Sequence, residues 1–384
     1  MRIVSIEPTP SPHSMKINVT EELPEGKAFN YKKGDLLTDA PDYVLKLFEI
    51  DGIINIYRVV DFITIARNPR KPWEEIIPEV RKVLGTEETD VAMDMNETTE
   101  GKDKASFGEV KIYIQMLRGI PMQVKVDNGE EERRFGLPER FTNAVIDASE
   151  ATDNVIFERR WVEQDHVRYG DIHEIGRQVA EEITATYDQA RLDKLVKLAF
   201  EEDGDEIRDT IHKQDTISME QFTDPDWRVR YAALDRLDPS LEHLDLLDKA
   251  LDDENSSIRR LATAYLGMIE KPEVLPYLYK ALKDRAVNVR RTAGDCLSDL
   301  GYKEAMPEMI KALKDKSQIV RWRAAMFLYE LGDETALPAL EEAKEDPEYE
   351  VRLQIQMAID RIKGGKEAKG SIWSQMSEAF EKDE

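Results

Sequence analysis

The sequence predicts a multidomain fold: two small α+β modules followed by an all-α, HEAT-like solenoid. Three observations lead there. Residues 1–86 alternate strand and helix patterns. A strongly acidic stretch at 87–104 separates them from a second mixed segment at 105–190. From residue 191 to 365 the chain repeats itself with a period near 31 residues, the signature of stacked helical pairs.

In the first module, "RIVSIE" and "MKINV" show β-branched alternation around a turn holding Pro8, Pro10 and Pro12. "DYVLKLFEI" has helical spacing in Val44, Leu47 and Phe48, and "IINIYRVVDFITIAR" reads as two strands meeting near Val60-Asp61. Pro72 is placed to open a helix whose apolar face is Ile76, Val80, Val83 and Leu84. The stretch 86–103, with seven acids and one lysine, has no apolar period and reads as a solvated linker.

In the second module, "VKIYIQML" and "PMQVKV" read as paired strands, and Asn128-Gly129 supplies a tight turn. Pro138 begins a helix carrying Phe141, Ala144, Val145 and Ala148; "NVIFERRWVE" returns to a strand pattern. Asp171 and Glu174 form a capping box, followed by a stripe of Ile175, Val179, Ile183 and Tyr187.

The repeats align on Asp224, Asp253, Asp284, Asp315 and Asp346, spaced by 29, 31, 31 and 31 residues. Six residues after each stands an arginine: Arg230, Arg259, Arg290, Arg321 and Arg352. Pro276, Pro307 and Pro338 recur with the same period of 31. The Asp/Arg series is expected to be a structural ladder, with each aspartate bonding turn amides and the arginine that begins the next helix. Val229, Ile258, Val289, Val320 and Val351 should face the core. The residue after each ladder arginine lies off that stripe, so Tyr231, Arg260, Arg291 and Trp322 are candidate protein-binding side chains in a groove. The alternative is an ordinary solvated face. The tail 366–384 carries Ile372, Trp373, Met376 and Phe380 at helical spacing, and reads as a cap on the last repeat or as a docking motif.

The 384 residues include 54 basic and 79 acidic side chains, a net charge of −25, which argues against nucleic acid or anionic membranes as partners. One cysteine, Cys296, excludes an intramolecular disulfide framework and points to a reducing cytoplasm. Its place in a repeat helix suggests a small buried thiol. His166 and His173 lie near Asp165, Asp171 and Glu174, but their spacing favours a capping region over a metal site. His13, in the Pro-rich turn, is placed to be a surface recognition residue, and pairs with no base or nucleophile in the sequence. No phosphate loop, nucleophile elbow or His-Glu-x-x-His motif is present, so no catalytic residue, metal or cofactor is assigned.

The pattern "TPSPHSMKINV … LFEIDGIINIYRVVDFITIAR … PWEEIIPEVRKVL" resembles the N-terminal domain of Nfu/NifU-type iron–sulfur scaffold proteins. In that family a Cys-x-x-Cys in another domain holds the cluster, and this sequence has none. The Asp/Arg repeats resemble short HEAT repeats, which also occur in phycobilisome lyases. The whole order resembles the conserved virulence factor C family of bacteria. These resemblances imply a non-catalytic cytoplasmic adaptor. Its partners would be proteins, among them iron–sulfur assembly components or their clients, and its output would be regulation of virulence traits. A bilin-attaching lyase and an iron-handling protein are the competing expectations.

Overall fold

The computed structural model describes residues 1–9, 11–24, 27–38, 40–85, 108–152, 154–164, 168–201 and 219–365. The acidic stretch 87–104, His166 with Asp165, and the tail 366–384 lie outside the described residues. Two compact units result: Met1–Phe107 together with Leu297–Glu384, and Gly108–Cys296. The helical half of the sequence is therefore shared between them.

The first unit begins with β1 (Ile3–Pro8), β2 (Ser14–Val19), β3 (Ala28–Lys32), α1 (Asp42–Glu49), β4 (Ile53–Val59), β5 (Phe62–Arg67) and α2 (Trp73–Leu84). The strands form an antiparallel sheet in the order β1-β2-β5-β4-β3. Strand periodicity fixes its inner face: Met15, Ile17 and Val19 alternate with polar residues, and Ile63 and Ile65 sit beside them, all buried. Pro72 precedes α2, which buries Trp73, Ile76, Val80 and Leu84. The Trp73 indole N–H donates to the Pro12 carbonyl at 2.9 Å and so ties the Pro-rich turn to the helix.

The second unit contains β6 (Glu109–Leu117), β7 (Ile120–Asp127), β8 (Glu132–Gly136), α3 (Glu139–Ser149), α4 (Val155–Glu158), β9 (Arg160–Glu163), β10 (Arg168–Tyr169), α5 (Ile172–Thr186) and α6 (Gln189–Glu201). Its sheet runs β10-β6-β7-β8, with β9 also pairing β6. Val110, Ile112, Val124 and Val126 meet Phe141, Ile175, Val179 and Leu195 from the helices in one core. Gly176 of α5 permits this close approach, because a Cβ there would lie 2.0 Å from the Phe135 ring. Asp171 caps α5 by accepting from the amides of His173 and Glu174. "NVIFERRWVE" is not all strand. Asn154 accepts from the Phe157 amide and closes the short α4, and only Arg160–Glu163 joins the sheet.

Helical pairs follow. In the second unit these are α7 (Trp227–Asp235), α8 (Leu244–Leu251), α9 (Ser256–Met268), α10 (Leu275–Ala281) and the start of α11 (Val287–Leu300). The first unit resumes with α12 (Met306–Ala312), α13 (Gln318–Leu331), α14 (Leu337–Ala343) and α15 (Tyr349–Lys363). Pro276, Pro307 and Pro338 sit in the first turns of α10, α12 and α14. There the missing N–H costs no helical bond.

The last helix explains how the first unit holds together. Helix α15 buries Val351, Ile355, Ala358, Ile359 and Ile362. On another side Tyr349, Leu353 and Met357 belong to the same apolar cluster as Ile3, Ile17, Trp73 and Val80 of the sheet module. Only a narrow polar stripe of this helix, Arg352, Gln356, Asp360 and Lys363, is left toward solvent.

Candidate functional site

The repeated aspartates and arginines make a ladder, with different rungs from those expected. Each aspartate carboxylate accepts from the amide two residues on: Asp253 from Asn255 at 2.8 Å, Asp284 from Ala286 at 2.7 Å, Asp315 from Ser317 at 2.7 Å. The arginine six residues later donates to the aspartate's backbone carbonyl, as Arg259 does to Asp253 and Arg321 to Asp315. Arg290 and Arg352 do the same to Asp284 and Asp346. The carboxylate instead takes the arginine of the preceding repeat. In the second unit Arg230 is bidentate on Asp253 (2.7 and 3.0 Å) and Arg259 on Asp284 (2.7 and 3.0 Å). In the first unit Arg321 is bidentate on Asp346 (2.6 and 3.0 Å). Asp224 accepts from the Asp226 amide and its carbonyl from Arg230. Each forked pair links one turn to the next, as a planar guanidinium favours.

The four groove candidates do not face solvent. Tyr231, Arg291 and Trp322 are 5%, 4% and 3% exposed, and the Arg260 side chain is 13% exposed. In the second unit the reason is the sheet module itself. Helix α5 presents Glu182, on which Arg168 of β10 is bidentate at 2.5 and 3.1 Å. Arg260 of α9 approaches the same carboxylate at 3.5 Å, and Gln178 donates to Ser257 at 2.8 Å. Burial by itself would raise the Glu182 carboxyl, but the charges of Arg168 and Arg260 outweigh it and hold it at about 2. Arg291 lies 5.0 Å over the Tyr169 ring and pairs with Asp295. In the first unit Trp322 is buried in α13, beside Arg323. The face expected to be a groove is thus covered within each unit. The signal was present in α13, "QIVRWRAAMFLYEL", which is apolar nearly all round.

The first unit holds a comparable buried charge. Arg67 is 2% exposed, lies 5.3 Å over the Trp73 ring and pairs with Glu350 of α15 at 3.0 Å. His13 is buried beside it. Desolvation first, and then the Arg67 charge, lowers its pKa to about 3. His13 is therefore neutral, a packing group of the docked turn and not a surface recognition residue. His173 sits with its ring edge-on to Phe135, 6.5 Å between centroids. Cys296 is only partly buried. Its thiol donates to the Thr263 carbonyl at 3.5 Å and fills the space over Gly267, where a Cβ would meet it at 2.5 Å. One thiol so placed does not fit a resident iron–sulfur cluster, which needs several thiolates.

What the charged constellations do is hold sheet modules against helices. The apolar side chains open to a partner lie elsewhere. They include Phe29 (42% exposed) and Leu36 (95%) in the first unit, and Phe157 (87%) and Ile156 (74%) in the second.

Comparison with known proteins agrees with this architecture. Family profiles match at residues 4–89 (scaffold protein Nfu/NifU N terminal), 115–196 (virulence factor) and 219–289 with 278–360 (HEAT repeats). The Bacillus subtilis (strain 168) protein YpgR is 54% identical over 384 residues, covering 100% of both chains. Conserved virulence factor C of Staphylococcus aureus (strain COL) is 46% identical over 379 residues, covering 98% of this chain and 99% of that one. A crystal structure of Staphylococcus aureus protein SAV1430 is 30% identical, with a TM-score of 0.20, over 22% of this chain and 98% of that one. With three family profiles in this order and relatives of this identity along their whole length, the chain belongs to the conserved virulence factor C family.

Proposed function

We propose that this protein is a non-catalytic, cytoplasmic protein-binding adaptor whose output is regulation of virulence-associated traits, with a link to iron–sulfur protein assembly through its Nfu-like module. The observation that supports it best is the use made of the charged side chains. Arg260 on Glu182 and Arg67 on Glu350 are largely buried ion pairs between a sheet module and a repeat helix, and Arg168 holds Glu182 from within its own module. Such pairs fix one arrangement of the parts, while exposed apolar side chains such as Phe29 and Leu36 remain for contact. The names of the staphylococcal relatives and the Nfu/NifU N-terminal profile supply the biological direction.

The test is capture with the intact chain, since a fragment 191–384 would strip the module that covers α7 and α9. Full-length protein, tagged and expressed at native level, should recover a defined protein in near-equal amount, and purified components should rebuild the complex. Turnover of a bilin onto an acceptor by the purified chain, or stoichiometric iron and sulfide after reconstitution, would overturn the reading.

A further inference from the structure

Strand β3 is the last strand of its sheet and, among the described residues, pairs only with β4. Register decides which of its backbone groups are open. Tyr31 opposes Ile56 and Phe29 opposes Arg58, and the Lys33 amide donates to the Ile54 carbonyl at 3.0 Å. Bonded pairs alternate along an antiparallel ladder. Phe29, Tyr31 and Lys33 therefore bond inward, and Ala28, Asn30 and Lys32 turn their N–H and C=O to the free edge. Lys32 is closed off locally: its amide donates to the Asp35 carboxylate at 3.3 Å, and its carbonyl accepts from the Asp35 amide at 3.1 Å. Ala28 and Asn30 form the open stretch.

The side chains of this edge point to its occupant. Phe29 and Tyr31 stack at 6.2 Å with 12° between ring planes, and Phe29 is 42% exposed. The stretch 27–33, "KAFNYKK", has three lysines and no acid in a chain of net charge −25. Lys27, Lys32 and Lys33 are all exposed. Proteins normally blunt a free edge with charge or proline. Edge strand β8 of the other sheet does so with self-cancelling pairs, Arg133 on Glu131 at 2.7 Å and Arg134 on Glu132 at 3.0 Å. The lysines of β3 leave a net positive edge. That sign disfavours a second copy, since antiparallel self-pairing about Asn30 would set Lys27 against Lys33 at both ends.

We propose that the free edge of β3 is a strand-addition site for an extended acidic segment of a partner protein. The backbone of Ala28 and Asn30 supplies the ladder bonds, the Phe29–Tyr31 pair receives apolar side chains at alternate positions, and the three lysines select acid. The inference rests on the adaptor reading and names one surface for it.

The probe is a short fluorescein-labelled peptide of alternating glutamate and valine, titrated into the full chain, with a lysine–valine peptide as control. The acidic peptide alone should bind, more weakly as salt rises, and should slow hydrogen exchange at the amides of Ala28 and Asn30. Asn30→Pro removes one edge N–H where proline is tolerated and should weaken binding about tenfold. Asn30→Ala keeps the N–H and should bind as the parent does. Joint replacement of Lys27, Lys32 and Lys33 by Glu should abolish acidic binding. The proposal is overturned by equal affinity for Asn30→Pro, by no binding of the acidic peptide, by dimerisation through this edge, or by protection of these amides in the free monomer. Native-partner recovery unaffected by Asn30→Pro would overturn the edge and leave the adaptor reading standing; no recoverable partner for either protein would sink the adaptor itself.

Discussion

Replacing Glu182 tests the buried charge cluster of the second unit most directly. Glu182 is 5% exposed and is the carboxylate facing both Arg168 and Arg260. Glu182→Ala leaves two guanidinium groups buried without their anion, a loss in the range of about 3–5 kcal/mol for breaking one partner of a buried pair. The titration gives a consistent figure. Holding the carboxyl at about 2 instead of its ordinary 4.5 corresponds to about 3 kcal/mol. Because the folded pKa is depressed, that stability is complete above pH 4.5 and is lost as pH falls toward 2. Denaturant unfolding of the parent and of Glu182→Gln, followed from pH 6 downward, would measure it. The parent should lead by a constant margin above pH 4.5, and the margin should shrink below it. A loss under about 1 kcal/mol for Glu182→Ala, the value of an exposed pair, would refute the reasoning. So would a margin that does not change with pH. The two arginines should also differ. Arg168→Ala breaks a bidentate pair and should cost more than Arg260→Ala, whose contact is 3.5 Å.

Other expectations are briefer. Asp284→Ala should cost about 2–4 kcal/mol in equilibrium unfolding, because it removes a turn cap and the fork from Arg259 together. Asp224→Ala, which removes a bond to the Asp226 amide, should cost about 1 kcal/mol; equal losses would dissolve the ladder argument. His13, held at about 3, stays neutral in the folded chain at a pH where in the unfolded chain it takes up a proton. Stability should therefore be full above pH 6.5 and fall as pH drops toward 3, by about 2 kcal/mol at pH 5, with that slope absent in His13→Gln. Gly267→Ala should destabilise by about 1–3 kcal/mol through collision with the Cys296 thiol, and Cys296→Ala should restore part of the loss, as thermal unfolding of the single and double variants would show. The combined Arg260, Arg291 and Trp322 to Ala variant should melt early instead of preserving the helical fold, since Arg291 and Trp322 are buried and Arg260 is largely so.

Much of this was legible because local patterns carry it. Alternation at Met15, Ile17 and Val19 specified a half-buried strand, and the period of 31 residues specified helical pairs with their core stripe of Ile258, Val289, Val320 and Val351. Strands β3 and β8 passed unnoticed. Edge strands bury little: in "AFNYK" and "ERRFG" only Tyr31 and Phe135 are even half-buried. The short α4 hid in a strand-like run because Asn154, a cap, outweighed the β-branched Val155 and Ile156.

The sequence by itself determined the kinds of parts, their order and the ladder residues, since each depends on neighbours within one repeat or one strand. Only the tertiary structure decided which carboxylate each arginine serves and which face of a helix meets water. Arg259 reaches the next turn's Asp284, while its own Asp253 gives it a carbonyl. Arg260 looked like a groove residue until Glu182 of α5, far away in the chain, was brought against it. Burial of a polar side chain is a property of whatever lands on it, and helical periodicity records one buried stripe, not the second surface that a docked module covers.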